Sequence, residues 1–262
     1  MVLSHRVALN GVQLDSLDSR ILVQGIEEQA GKDQISAVNL FGGVGQRITN
    51  RHRDYLDVTV RFSLKIHKND MQSRSDVFEA VNTWAATGGW LTVNYKDNRR
   101  LRVVCAQFPA AGDQWNWTGV YAIVFRAYTI PYWQQASANK LMATGSNITR
   151  QIGVAGSVKT VLDISFTNTS GMSCASFTVS AGGSVISLSS LGLASGETLH
   201  IGHTEDGLLR IRIQNGSSYR SVLDKRTSGS SDDLWVSPGL VTVNVSAQRT
   251  GSLTISCAGR FA

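Results

Sequence analysis

Twelve consecutive residues from Tyr55 to Ile66 alternate without a miss. Leu56, Val58, Val60, Phe62, Leu64 and Ile66 fall on one parity, and Tyr55, Asp57, Thr59, Arg61, Ser63 and Lys65 on the other. A period of two over that length predicts a long strand with one buried and one wet face, as in an antiparallel sheet. Ile21 to Glu27 predicts a shorter strand, and the glycine-rich Phe41-Gly42-Gly43-Val44-Gly45 a loop. After Asn69-Asp70, which can cap a helix start, the period changes. Val77, Phe78, Val81, Trp84 and Ala85 make the stripe of one helix over 70–86, closed by Gly88-Gly89. Trp90 to Tyr95 alternates again, Lys96-Asp97-Asn98 reads as a turn, and Leu101, Val103 and Cys105 return on a partner strand, which together predict a β-hairpin. Gly119 to Thr129 is apolar on both faces, so a central strand is expected there.

Around Pro131-Tyr132-Trp133 the composition shifts. From Ala136 onward Ser, Thr, Gly and Asn dominate and helix periodicity disappears, which places a domain boundary near 134–140. Short strands separated by turn residues are expected at 148–154, 160–167, 176–180, 185–189, 198–203, 208–214, 219–223, 234–236, 240–246 and 252–258, with Asn215-Gly216 the sharpest hairpin signal. That spacing fits a sandwich of jelly-roll or lectin type. The expected fold class is mainly β. Residues 1–135 form a sandwich-like domain with one α-helix and a β-hairpin, and residues 136–262 form a β-sandwich.

Composition narrows the function more than the fold. With 42% hydrophobic and 17% charged residues in 262, the chain can bury a core and is not disordered. The net charge of +6 is shared evenly: 15 basic and 12 acidic residues lie in 1–135, and 10 and 7 in the rest. No basic run exceeds Arg99-Arg100, so the charge reads as a solvated surface rather than a nucleic-acid footprint, which needs clustered phosphate contacts. Cys105, Cys174 and Cys257 are too few and too scattered for a disulfide framework or a zinc knuckle, and are expected to pack as small apolar side chains. The N-terminus MVLSHRVALNGVQL does not read as a secretory leader, and no stretch approaches 18 apolar residues, so no membrane insertion is expected.

Catalytic motifs are missing or broken. His200 and His203 sit three apart on an expected strand, which points them to opposite faces and argues against a shared metal. Gly42 to Arg47 lacks the Gly-Lys-Ser/Thr ending of a phosphate loop, and Ser137-Ala138-Asn139-Lys140 falls in the expected linker without companion motifs. No catalytic residue, metal ligand or cofactor site is expected. The aromatics divide differently. Trp84 and Trp90 read as core, whereas Trp115, Trp117, Tyr132 and Trp133 lie where an interface between subunits can use them, since such side chains bury much area at little entropic cost. In the second domain Trp235, with Arg210 and Arg212, is the candidate contact for a carbohydrate.

The ordered features of the first half are the alternating strand Tyr55 to Ile66, the helix ending in Trp84 and Gly-Gly-Trp-Leu-Thr-Val at 88–93. The partner strand Leu101-Arg102-Val103-Val104, Val124-Phe125-Arg126-Ala127-Tyr128 and Pro131-Tyr132-Trp133 follow. In this order they resemble the N-terminal belt domain of the distal tail protein (Dit) family of long-tailed, siphovirus-type bacteriophages or prophages. The resemblance implies a galectin-like C-terminal domain and a homohexameric ring at the end of the tail tube. The implied partners are the tail tube protein, the tail-associated hub protein and a receptor-binding protein, with DNA passing through the channel without specific binding. It also implies residence in the virion tail tip after assembly in the host bacterial cytoplasm. The family's galectin likeness transfers no sugar site, because the His, Asn, Arg, Trp and Glu pattern of sugar-reading galectins cannot be laid onto residues 136–262. The competing reading is a carbohydrate-binding module that recognises host cell-surface polysaccharide through the C-terminal sandwich.

Overall fold

The computed structural model describes residues 5–30, 33–39, 46–66, 70–109, 119–205 and 207–262, and is mainly β. The chain divides into two compact units, Met1–Trp133 and Gln134–Ala262. The first runs β1 (Val7–Leu9), β2 (Val12–Gln13), β3 (Ile21–Ala30), β4 (Asp33–Asn39), β5 (Gln46–Arg53), β6 (Leu56–Leu64), α1 (Met71–Ala86), β7 (Gly89–Val93), β8 (Arg99–Gln107) and β9 (Val120–Ala127). Its strands follow one another across the sheet as β2-β1-β7-β8-β9-β6-β3, and β4 and β5 form a separate antiparallel ribbon. β9 lies centrally between β8 and β6, the position its two apolar faces suit.

The alternation of β6 becomes burial: Leu56, Val58, Val60, Phe62 and Leu64 are all in the core, and Arg61 is exposed. The apolar stripe of α1 lies against that core, with Phe78 edge-on to Tyr121 at 4.8 Å between centroids and Trp84 edge-on to Phe125 at 5.7 Å. The Asp70 carboxylate caps the helix by accepting the Ser73 N–H at 3.0 Å. At the far end Gly88 and Gly89 adopt φ of +57° and +118° and turn the chain into β7. A side chain at Gly89 would run into the Asn10 amide, which latches this corner. Asn10 Nδ2 donates to the Gly88 carbonyl at 2.7 Å, and its Oδ1 accepts the Trp90 N–H at 2.9 Å. Asn10-Gly11 is also the two-residue turn that sets Leu9 opposite Val12, a hairpin signal that the long-range patterning above passes over.

β10 (Trp133–Gln135) leads to the second unit: β11 (Asn139–Val154), β12 (Thr160–Val161), β13 (Asp163–Asn168), β14 (Phe177–Ala181), β15 (Ser184–Leu188), β16 (Thr198–His203), β17 (Leu209–Asn215), β18 (Ser218–Ser221), β19 (Trp235–Val236), β20 (Gly239–Cys257) and β21 (Arg260–Phe261). The Asn215-Gly216 hairpin joins β17 to β18 as expected. Two expectations change. The segments 240–246 and 252–258 form one 19-residue strand, and the Asn139-Lys140 end of the expected linker opens the 16-residue strand β11. β11 and β20 pair in two stretches, 139–145 with 251–257 and 147–154 with 239–246, with a register shift between Gly145 and Asn147, so the backbone of this Ser/Gly-rich stretch gains ladder partners that local turn preference cannot offer.

β20 presents its other edge to β14 through residues 243–247 and to β13 through 251–256. Its buried residues keep one parity across both halves and join a single core with Phe166, Phe177, Leu199, Ile201, Ile213 and Leu253, so the sheet folds around that core as a sandwich. Gly251 packs against Phe166, whose ring a Cβ there would strike. The three cysteines are free, with Cys174 and Cys257 buried and Cys105 half-buried.

Candidate functional site

In the first unit, residues alternating with the buried set form an outer layer of arginines and aromatic rings. Asp57 and Arg126 face each other across β6 and β9, and the guanidinium grips the carboxylate with two hydrogen bonds of 2.6 Å. Arg126 also lies 4.1 Å over the Tyr55 ring and 5.7 Å from that of Tyr128. The hydrogen bond to Asp57 holds the guanidinium pKa above its ordinary range. Asp57, placed by the alternation on a wet face, is therefore buried, because its charge is met by a bidentate partner. Trp90 also departs from its expected core position: it is half-buried on β7, with Arg100 at 3.9 Å and Arg102 at 5.8 Å over its ring. Val104 and Tyr128 are exposed beside these groups.

The expected interface aromatics separate. Trp133 is fully buried, its indole N–H donating to the Glu28 carboxylate at 2.9 Å and Lys96 Nζ 4.9 Å over its ring. The same carboxylate accepts the Tyr95 hydroxyl at 3.0 Å and the Lys96 ammonium at 2.9 Å. Burial and this neighbouring carboxylate push the Tyr95 phenol up. The surface of Trp133 is thus taken up within its own unit. Tyr132 is half-buried, with the Arg53 guanidinium 5.0 Å from its ring. Trp115, Trp117 and the glycine-rich segment 41–45 lie outside the described residues.

In the second unit, the outer face of β13, β16, β17 and β18 carries polar side chains in cross-strand rows. Ser165, His200, Arg212 and Ser221 form one row, and Thr167, Thr198, Gln214 and Tyr219 the next. The third contains Gly202, paired with Arg210 on one side and flanked by Asp163 on the other. A cleft of about 340 Å³ opens here, lined by Asp163, Ser165, His200, Gly202, Arg210 and Arg212 among others. The Gln214 amide nitrogen donates to the Gly216 carbonyl at 2.9 Å, so its oxygen faces His200 Nε2, also at 2.9 Å. With Gln214 so oriented, His200 Nε2 donates to its oxygen, and His200 Nδ1 accepts the Ser165 hydroxyl at 2.9 Å. Arg212 lies 4.2 Å over the ring of exposed Tyr219.

His203 closes the other side of the cleft. Its Nδ1 meets Asp163 Oδ1 at 2.7 Å, and its Nε2 meets Asp233 Oδ1 at 2.8 Å and Oδ2 at 3.0 Å. Burial opposes charge on the ring, but the hydrogen bonds and negative charge of the two carboxylates outweigh it and push His203 up to about 9. His200 and His203 thus line one cleft, against the expectation of opposite faces: His203 is the last residue of β16, and its ring is held between two acids rather than by the alternation of the strand. Among the described residues no cluster of three or more His, Cys, Asp or Glu side chains could hold a metal ion, and no helix is long and apolar enough to cross a membrane.

Of the candidate carbohydrate contacts, Arg210 and Arg212 line the cleft. Trp235 does not; it is partly exposed on β19, with Arg260 5.5 Å over its ring. Asp163 and Gly202 were missed and His200 was weighed only as a metal ligand, although the alternation of 198–203 and 209–215 puts Thr198, His200 and Gly202, and Arg210, Arg212 and Gln214, on single wet faces.

No protein-family model and no curated protein matches the chain. Among solved structures, the Dit protein of phage SPP1, described as a paradigm of the hub adsorption apparatus in phages that infect Gram-positive bacteria, overlays with a TM-score of 0.68. The match covers 97% of this chain and 98% of that one at 12% identity. Chains of the phage P2 baseplate in its activated conformation, with calcium or with strontium, overlay at TM-scores of 0.49 and 0.45 and 7% identity. They cover 99% and 96% of this chain and 98% and 97% of theirs. At such identities the likeness is one of fold: along nearly its whole length, the chain has the fold of the SPP1 Dit protein.

Proposed function

We propose that the protein is a structural subunit of a phage tail, a distal tail protein whose first unit closes into a homohexameric ring at the end of the tail tube. One face of the ring docks the tube protein and the other the tail-associated hub protein, and DNA passes through the channel without specific binding. The second unit, a galectin-like sandwich, carries or contacts receptor-binding proteins. The ring is assembled in the host cytoplasm and remains in the virion.

The observation that supports this most is the shared fold with the SPP1 Dit protein across 97% of the chain, which includes both units. The outer layer of the first unit fits the role. Its charges are paired or stacked, leaving Val104 and Tyr128 exposed on a rigid face, and aromatic groups with satisfied polar neighbours are what a repeated subunit contact uses. We assign the contact to this face and to Tyr132 rather than to buried Trp133. The role requires no catalytic group, and the paired side chains described here hold shape rather than perform a reaction. Negative-stain images of the purified protein, alone and mixed with its tail partners, test the reading. Six-fold rings are expected, and a stable monomer in every mixture would overturn it.

A further inference from the structure

We propose that the cleft on the outer face of β13, β16 and β17 binds a neutral saccharide, with Asp163 and Arg210 reading its hydroxyl groups across Gly202. This goes beyond the hub reading and does not depend on it.

The shape of the cleft follows from the register. Asp163 and Arg210 stand on the strands either side of β16, and neighbouring strands are about 4.8 Å apart, so their Cα atoms are separated by about 10 Å. Between them is a residue without a side chain, Gly202, and the row is hollow at its centre. A valine there would fill the floor, since even a Cβ would approach Asp163 Oδ1 at 3.3 Å. The cleft volume of about 340 Å³ is at the lower end of the range for small-ligand sites, the size of one or two sugar rings.

The lining selects the ligand class. Arg210 is exposed and has no hydrogen-bond or ion-pair partner among the described residues, so its planar fork is free to donate to two adjacent oxygens. Opposite, Asp163 uses Oδ1 on His203 and keeps Oδ2 for a donor. Glu205 and Arg212 add one further acid and one further base to the lining. An anion would meet the two carboxylates as well as the arginines. A hydroxyl group both donates and accepts, and is matched to a wall where donors and acceptors face each other. The walls are already braced, by Ser165 and Gln214 on His200 and by Asp163 and Asp233 on His203, so little ordering is needed on binding.

The test uses the full-length protein and saturation-transfer NMR with lactose, maltose, cellobiose and di-N-acetylchitobiose, each at about 10 mM, where weak sites with millimolar Kd are read. At least one disaccharide is expected to bind. Arg210→Ala is expected to weaken it about tenfold or more, and Gly202→Val to abolish it, with the circular dichroism of each variant unchanged. The proposal is overturned if none of the four binds. It is also overturned if binding is indifferent to Arg210→Ala and Gly202→Val, or if inorganic phosphate binds in the cleft and displaces the sugar. Ring formation is scored separately by negative stain, so a failed saccharide test leaves the hub reading standing, and a failed ring leaves the saccharide site to be judged by its own binding.

Discussion

The two units use the outer face of a sheet in opposite ways. In the first, Arg126 is gripped by Asp57 and stacked on Tyr55, Arg100 and Arg102 lie over Trp90, and Glu28 accepts three donors at once. In the second, the row through Asp163, Gly202 and Arg210 leaves a hollow, a guanidinium without a partner among the described residues and a carboxylate oxygen still able to accept. A closed layer of satisfied charges keeps a surface rigid and ready to meet copies of itself. An open row with unmatched donors and acceptors is adapted to a smaller polar ligand. Similar residue types serve both, and what differs is whether the cross-strand partner is present.

That contrast can be broken at four points. The largest effect is expected from Asp57→Ala, which removes a buried carboxylate and leaves half-buried Arg126 without its bidentate partner. A loss of about 3 kcal/mol in denaturant unfolding of the first unit is expected, and a loss below about 1 kcal/mol would place this pair with replaceable surface ones. Next comes the His203 clasp in the second unit. Its folded pKa of about 9 lies above the ordinary 6.5, so its stabilisation is complete below about pH 6.5 and is lost as pH rises through about 9. Thermal midpoints between about pH 6 and pH 10 should show a loss on the order of 2 kcal/mol that His203→Asn lacks; parallel curves for the two proteins would contradict the clasp.

A smaller change is expected for Glu28→Gln, which replaces an acceptor of three hydrogen bonds by a group that presents its own donors. About 1–2 kcal/mol should be lost, with red-shifted tryptophan fluorescence from an opened Trp133; an unaltered spectrum would show that burial alone holds the ring. Arg210→Ala should sit within about 0.5 kcal/mol of the parent in the same unfolding assay, since the side chain has nothing among the described residues to lose. A cost above about 1 kcal/mol would erase the difference between the two faces.

Much of the architecture was readable from local signals. The strand at 56–64, the helix with its Asp70 cap, the hairpin across 96–98 and the Asn215-Gly216 turn all depend on side-chain period or on residues a few positions apart. The site was less readable. Arg210 and Arg212 line one cleft while Trp235, named with them, stands on β19 outside it, because nearness in sequence says nothing of which rung a strand joins. Trp90 and Asp57 were misplaced for a related reason: alternation assigns a face, but arginines from another strand decide how wet that face is.

Apart from β1, β2, β4 and β5, which it did not mark, the chain's pattern by itself determined most of the strands, where the α-helix starts and stops, and which parity of strands such as β6 faces a core. These are consequences of backbone geometry that act over a turn or a few residues. The tertiary structure decided the partners. Asp57 meets Arg126 across 69 positions, Glu28 meets Trp133 across 105, and Thr160 on β12 bonds the Ala258 carbonyl across 98. It also decided that two expected strands would run on as one and that Asp163, Gly202 and Arg210 would form a single row. Such pairings depend on strand order and register, which arise only when the whole sheet closes on its core, and no local period carries them.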